Sequence, residues 1–289
     1  MNFHEARDLF WLAGGFYCLA FTYGILRTFR VETSLSREIP LMGISVGFII
    51  QTRGLFLRGL EIQGCPLGNP LERIQFIIWS LILALLIIRL AWRLNLLGTF
   101  CAGLATISGW FALSLPNWDR EYWINPNYER LFSNPWIELH ASIAIFSYGL
   151  FSLLAVVSIM YLTQRKALLS RKFDLLGAFL PPIHDLEHAA FRLLSIGVLF
   201  LTLSIVVGGM HWIRNPEYVT EIKLAITLIL WFGYAVVYFL RFHNLLYGSR
   251  FAKTSILLFA IAIMSLSFVN SSKRHSKPTL ESAYKTLAL

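Results

Sequence analysis

Charged residues are scarce in this sequence. Lys, Arg, Asp and Glu make up 14% of its 289 residues, whereas the hydrophobic residues make up 56%. Soluble domains carry about 25% charged residues, and the mean hydropathy here is +0.62. The composition therefore excludes an ordinary soluble domain and is typical of an integral membrane protein.

Cysteine is also scarce, and common catalytic motifs are missing. Cys18, Cys65 and Cys101 form no CxxC pair, so neither a thiol relay nor a zinc site is indicated. The sequence has no Walker loop, HExxH, GxSxG or kinase motif set, and it gives no direct support for an enzyme. The net charge is +9, but no basic stripe with interleaved aromatic residues indicates nucleic acid. The positive charge instead favours contact with anionic lipid.

Long apolar segments are what the sequence has in abundance. A bilayer core about 30 Å thick requires about 20 apolar residues per helix. The segments are continuous, whereas a transmembrane barrel requires short alternating ones. We therefore predict an all-α, polytopic integral membrane helical bundle with about eight transmembrane helices. They are expected near residues 9–28, 40–58, 73–93, 96–115, 137–163, 189–212, 222–240 and 252–270.

The basic residues predict how the chain is oriented. Lys and Arg cluster at one set of helix ends, most densely over residues 165–172, and basic loops are retained in the cytoplasm. This predicts a bacterial inner (plasma) membrane protein with both termini outside the cytoplasm. We also predict a single transmembrane domain over residues 1–270 and a polar, disordered tail over residues 271–289.

Two polar segments lie on the predicted outer side. Residues 61–72, "EIQGCPLGNPLE", form a compact turn in which Asn69 or Glu72 can cap the next helix. Residues 116–138 are rich in aromatic residues, which suits either anchoring at the headgroups or a lid over an outward-facing cavity. The predicted anchors are Trp118, Tyr122, Trp123 and Trp136.

Five histidines lie inside or near the predicted spans. Imidazole binds haem iron well, although a single histidine at a helix end more often forms an interfacial hydrogen bond. His140 and His211 are expected on the outer side, and His243 near the opposite surface. His184 and His188 sit beside Asp185 and Glu187, which indicates a helix start and not a metal site.

Arginines in the spans raise a separate question. Arg53 lies within the second span, so its charge is expected to face a cavity or an acid. Glu61, Glu72 or a haem propionate could supply the negative charge. For Arg53 and Arg58 alike, snorkelling to the headgroups is an equal alternative.

Several motifs resemble those of cytochrome c assembly membrane proteins of the CcsA/HemX-like superfamily, over about residues 40 to 270. The outer turn matches at Pro66, Leu67, Asn69 and Glu72, with Gly64 at the family's histidine position. "ELHASIAIFSYG" resembles the family helix with an early histidine, at His140. The stretch beginning "PPIHDLEHAAFRLL" matches the family pattern at Glu187, Phe191, Arg192, Gly197 and Gly209. Arg192 is expected to act as a cytoplasmic anchor.

The chain departs from the family after the sixth span. Haem-delivering members have a tryptophan-rich platform there, of which Trp212 remains. Lys223 and Trp231 keep the family's eight-residue separation. The family's second axial histidine falls on Phe239, and His243 follows four residues later. We therefore hypothesise that His140 pairs with His211 as haem iron ligands.

The resemblance implies a protein of the cytochrome c assembly type that handles haem or supports cytochrome c biogenesis. Its outward-facing site would lie near His140, with Trp212 as a wall, and its partners would be haem or an apocytochrome assembly partner. One alternative is a HemX-like accessory or regulatory membrane protein without haem transfer. A second is a small-molecule transporter, which is less favoured because no internal repeat is visible.

Overall fold

The computed structural model describes residues 3–27, 34–62, 64–91, 97–119, 135–170, 180–214 and 221–269. These ranges contain eight helices long and apolar enough to cross a membrane, and no strand. The prediction of an all-α integral membrane bundle is therefore confirmed. The helices are α1 (Phe3–Arg27), α2 (Ser34–Ile62), α3 (Pro70–Ala91), α4 (Leu97–Ser114), α5 (Pro135–Ser170), α6 (Ile183–Arg214), α7 (Glu221–Phe242) and α8 (Gly248–Val269).

Helix α5 is the central element of the bundle. It packs against α3, α4, α6 and α8. In its most apolar stretch, 72% of the residues are buried, compared with 17% in α7. Helices α1 to α4 pack together, while α7 contacts α6 and α8. Because α7 buries so little of its surface, most of its apolar side chains face lipid.

Successive helices run in opposite directions, so the bundle has a His140 end and an Arg165 end. The His140 end contains the starts of α1, α3, α5 and α7 and the ends of the other four helices. The Arg165 end is the opposite one, where α5 finishes and α8 starts. The predicted outer side corresponds to the His140 end. The predicted tail over residues 271–289 lies outside the described residues.

Glycine allows α5 to approach α3 closely. A Cβ added at Gly149 would lie 2.9 Å from the carbonyl carbon of Ser80 and 3.0 Å from the backbone nitrogen of Leu81. Backbone atoms of a packed helix have little freedom to move aside. The contact between these two helices therefore depends on the missing side chain.

Helix α2 crosses the bundle despite polar residues in its sequence. Gln51 is 1% exposed, and its side-chain oxygen accepts a hydrogen bond of 2.8 Å from the Tyr17 hydroxyl. Its amide donates to the backbone oxygen of Gln75 at 3.0 Å and to that residue's side-chain oxygen at 2.9 Å. A buried amide satisfied in this way carries little desolvation penalty, so the polar position does not interrupt the span.

Candidate functional site around His140

His140 lies in the second turn of α5 and contacts α6 through its ring. Its Nδ1 is 2.7 Å from the carbonyl oxygen of Ser204 and 3.0 Å from that residue's Oγ. A carbonyl oxygen can only accept, so Nδ1 must carry the hydrogen. The Ser204 hydroxyl in turn donates to the His140 carbonyl oxygen at 3.0 Å.

These contacts fix the tautomer of the His140 ring. With the hydrogen on Nδ1, the lone pair of the neutral imidazole is on Nε2. Histidines that bind metals usually donate a hydrogen bond from the N–H of the other ring nitrogen to a carbonyl or a carboxylate. This bond orients the ring and raises its basicity. The residues present therefore fit an imidazole ligand for haem iron.

A glycine on α6 makes room for the His140 ring. A Cβ added at Gly208 would lie 2.6 Å from Nδ1 and 2.7 Å from Cε1 of His140. By contrast, nothing lies within 4 Å of a Cβ added at Gly209. Of the two adjacent glycines, only Gly208 lies where a larger side chain would collide with the His140 ring.

His211 and Trp212 are in the last turn of α6. His211 follows Ser204 by seven residues, which is nearly two helical turns, so the two positions share a side of α6. The His211 side chain lies outside the described part of the chain. Trp212 is 37% exposed.

The remaining histidine candidate lies at the other end of the bundle. His243 follows α7 at the Arg165 end, where its ring packs 4.3 Å from the Phe239 ring, centroid to centroid. The structure therefore does not bring His243 together with His140.

The other family-motif residues have structural contacts or lie at helix ends. Trp231 donates from Nε1 to the Thr202 hydroxyl at 2.9 Å, which joins α7 to α6. Lys223 is in the first turn of α7, and its side chain lies outside the described part. Arg192 is exposed in α6 towards the Arg165 end.

The turn of residues 64–69 is held by hydrogen bonds at the His140 end. Asn69 Oδ1 accepts from the backbone nitrogen of Glu72 at 2.8 Å, which confirms the predicted helix cap, and Pro70 is in the first helical position. Glu72 Oε2 accepts from the Gly68 nitrogen at 3.0 Å. Pro66 is buried. These family-motif residues therefore stabilise the turn itself.

A further hydrogen bond ties this turn to the helix of His140. The backbone nitrogen of Cys65 donates to Glu138 Oε1 at 3.1 Å, and the Cys65 Sγ is 3.3 Å from the Ser142 hydroxyl. Burial raises the pKa of the Cys65 thiol, as do the nearby carboxylates, while the bond to Ser142 opposes them. Glu138 and Ser142 are each two positions from His140 in the sequence.

A buried ionic group at the same end was not predicted. This group, called the Arg58 cluster, consists of Arg7, Arg58, Glu72 and Asp119. Arg58 is fully buried. Its Nη1 and Nη2 donate hydrogen bonds of 2.8 and 3.1 Å to the two carboxylate oxygens of Asp119. Its Nη1 is also 3.4 Å from Glu72 Oε1. Arg7 adds a contact of 3.0 Å to Asp119. The cluster therefore holds α1, α2, α3 and the segment after α4 together.

The location of this cluster changes the interpretation of the arginines in α2. We considered Arg53 for an interaction with Glu72, but Arg53 is exposed and Arg58 makes that contact. Arg58 does not snorkel, since its side chain is 0% exposed. Among the predicted aromatic anchors, Trp136 is exposed and Trp118 packs edge-on against Phe111 at 5.7 Å between centroids. Tyr122 and Trp123 lie outside the described residues.

Comparison with known proteins identifies the family. The model of a family described as cytochrome C assembly protein matches residues 67–276, well over half of the 289 residues. The chain belongs to the cytochrome c assembly protein family. The matched region begins within the turn of residues 64–69 and includes α3 to α8 together with His140.

Individual relatives agree with this assignment to the cytochrome c assembly family. The chain is 46% identical over 69 residues to "Protein HemX" of Brevibacillus brevis, covering 24% of this chain and 25% of that protein. It is 25% identical over 211 residues to "Cytochrome c biogenesis protein CcsA" of Chlamydomonas reinhardtii, covering 68% of this chain and 57% of that protein. "Protein HemX" of Bacillus subtilis is 27% identical over 146 residues, half of each protein. The chain therefore spans less than two thirds of each of these three relatives.

Proposed function

We propose that this cytochrome c assembly protein handles haem in cytochrome c biogenesis, at a site near His140. The observation that carries the proposal is the bond from His140 Nδ1–H to the Ser204 carbonyl oxygen, 2.7 Å long. It orients the ring so that Nε2 is the nitrogen that would hold haem iron. Haem, when bound, supplies the iron centre that a cytochrome requires.

The other residues of the proposed site have subsidiary roles. Gly208 leaves space for the ring, and Ser204 orients it. His211 is the proposed second ligand because it lies on the Ser204 side of α6, and Trp212 is the proposed wall. The proposed partners are haem and an apocytochrome assembly partner in the bilayer. His243 lies at the opposite end and is not included in the site.

Absorbance of the purified full-length protein titrated with haemin tests this proposal. The wild type should develop a Soret band, and His140→Ala should lose it, while His243→Ala should retain it. Gly208→Ala should weaken haemin binding by on the order of tenfold, since loss of a bond that orients a ligand costs about 10- to 100-fold in metal affinity. Gly209→Ala is the matched control and should bind like the wild type, because its new methyl group meets no atom within 4 Å.

The outcomes separate haem handling from the principal alternative. A folded wild type that binds no haemin contradicts the proposal and favours a HemX-like accessory or regulatory protein without haem transfer. The identity of 46% to one HemX protein is the observation that favours this alternative. Equal haemin binding by His140→Ala and the wild type contradicts the location of the site. A size-exclusion profile for each variant distinguishes loss of the site from loss of the fold.

A further inference from the structure

A surface cavity that is largely open to its surroundings lies between α5 and α8 at the Arg165 end, away from the proposed haem site. Its volume is about 390 Å³, and it is lined by Leu162, Arg165, Lys166, Leu169, Ser170 and Ser249. A water molecule in the liquid occupies about 30 Å³, so the cavity has room for a group much larger than a single ion.

The lining of the cavity combines positive charge with an apolar wall. On α5, residues 162, 165, 166 and 169 recur at helical spacing, so their side chains lie on one face. This face presents two cations between two leucines, and Ser170 and Ser249 add hydroxyl groups at its edge. Such a surface matches an anionic polar group attached to a hydrocarbon chain.

Glu187, an acidic residue of α6 at the same end of the bundle, is already engaged by other groups. Glu187 Oε1 is 2.9 Å from Arg241 Nη2 and accepts a hydrogen bond of 3.3 Å from the backbone nitrogen of Gly248. No carboxylate in the described ranges forms an ion pair with Arg165 or Lys166. Among the described residues, the positive charge of the cavity is therefore left for a ligand or for solvent.

The depth of the cavity coincides with the polar surface of the membrane. It lies where the span Pro135–Ser170 ends and the span Gly248–Leu266 begins. Leu169 is 72% exposed beside the two cations, where it can contact an acyl chain. The density of basic residues predicts that this is the cytoplasmic end, and the lipids of that surface include anionic ones.

We propose that this cavity binds the phosphate of an anionic phospholipid. Arg165 and Lys166 contact the phosphate oxygens, and the Ser249 hydroxyl donates a hydrogen bond to them, whereas the Ser170 hydroxyl donates to the Ala167 carbonyl oxygen at 3.0 Å. Leu162 and Leu169 pack along the acyl chain. Free phosphate shares the headgroup chemistry, but it would leave both leucines uncovered, and so the structure favours the lipid.

Electron paramagnetic resonance of spin-labelled lipids tests the proposal on the full chain in phosphatidylcholine vesicles. Labelled phosphatidylglycerol should associate with the wild type on the order of tenfold more strongly than labelled phosphatidylcholine. The double variant Arg165→Gln with Lys166→Gln should lose most of this preference. The matched control is Arg27→Gln with Arg89→Gln, which removes the same charge from the same end of the bundle, on helices α1 and α3. The control should keep the preference.

Three results would overturn the assignment. One is equal association of the two labelled lipids with the wild type. Another is an equal loss in the control, because the preference would then reflect diffuse surface charge. The third is displacement of labelled phosphatidylglycerol by millimolar inorganic phosphate but not by sodium chloride of equal ionic strength, which would assign the cavity to a soluble phosphate.

Discussion

At the scale of single residues, two arginines of α2 show how position decides the environment of a charge. Arg53 is exposed, whereas Arg58, five residues later, is fully buried against Asp119 and Glu72. Counted over the described residues, the Arg58 cluster has two positive and two negative groups and is neutral. Neutrality and short bonds are what make a buried ionic group tolerable, because each ion taken from water costs several kcal/mol.

Replacing Arg58 should therefore destabilise the fold strongly. Arg58→Met removes the guanidinium that pairs with Glu72, whose side chain is 0% exposed, and breaking a buried pair in this way costs about 3–5 kcal/mol. In detergent, thermal unfolding followed by tryptophan fluorescence should shift to a lower Tm by on the order of 10 °C.

Arg53→Met is the matched control for this experiment. It removes the same charge from the same helix at an exposed position, where substitutions usually change stability by less than about 0.5 kcal/mol. Equal shifts in Tm for the two variants would show that the Arg58 cluster does not stabilise the fold.

The sequence contained part of the information needed to choose between these arginines. Arg58 follows Gln51 by seven residues, so both lie on one face of α2, whereas Arg53 is two residues from Gln51 and lies on another. The face shared by the two polar residues is the buried one. The partner Asp119 lies 61 residues further along the chain, and only tertiary packing brings it to Arg58.

At the scale of helices, the packing of α5 depends on glycines at particular contacts. Gly149 faces the backbone of α3 and Gly208 of α6 faces the His140 ring. Water does not drive helices together within a membrane, so close packing supplies much of the association energy, and small residues allow it. The same residue type is dispensable where its surroundings are open.

We expect Gly149→Ala to destabilise the protein. The added methyl group meets backbone atoms of Ser80 and Leu81, and overpacking of this kind costs about 1–3 kcal/mol. Gly209→Ala meets nothing within 4 Å and should be neutral or stabilising by up to about 1 kcal/mol, because alanine favours helix more than glycine does. Tm values in detergent should therefore fall for the first variant and stay level or rise for the second.

The number of helices was predictable because a bilayer requires a continuous apolar segment for each crossing. The residues at which the helices begin and end were less predictable. The fifth span was predicted over residues 137–163, but α5 extends over Pro135–Ser170. Hydropathy marks only the part of a helix that lies in hydrocarbon, and α5 continues beyond it through Arg165 and Lys166. This polar extension supplies four of the six residues that line the cavity between α5 and α8.

At the scale of the whole molecule, eight crossings place the two ends of the bundle on opposite sides of the membrane. Of the arginines whose side chains the structure describes, six lie at or towards the Arg165 end and four lie at or towards the His140 end. The first set is Arg27, Arg89, Arg165, Arg192, Arg241 and Arg250, and the second is Arg7, Arg53, Arg58 and Arg73. Because basic ends are retained in the cytoplasm, the His140 end is expected to face outward.

Single cysteines introduced at opposite ends test this orientation. In a variant without the three native cysteines, Asn117→Cys should react with a membrane-impermeant maleimide added to intact cells. Tyr247→Cys should react only after the cells are permeabilised. Both positions are exposed, so a difference in labelling reports the side of the membrane. The opposite pattern would invert the proposed topology.

The site itself was predictable only in part. The motif around His140 and its family resemblance identified the ring, but nothing in the sequence marks Ser204, which lies 64 residues away. The turn of residues 64–69 was predicted as a cap for α3. Its bond from Cys65 to Glu138 depends on how two distant segments pack. Local hydrogen bonds follow from sequence spacing, whereas contacts between helices depend on packing of the whole chain.

The Arg58 cluster limits which segments of a protein of this family could be exchanged with another protein during evolution. Glu72 and Asp119 belong to the region that the family model matches, residues 67–276, but both of the arginines that neutralise them come from helices that precede it. A transplant of the matched region alone would carry Glu72 and Asp119 without the ion pairs that Arg7 and Arg58 form with them. The first two helices and the shared region are therefore expected to be inherited together.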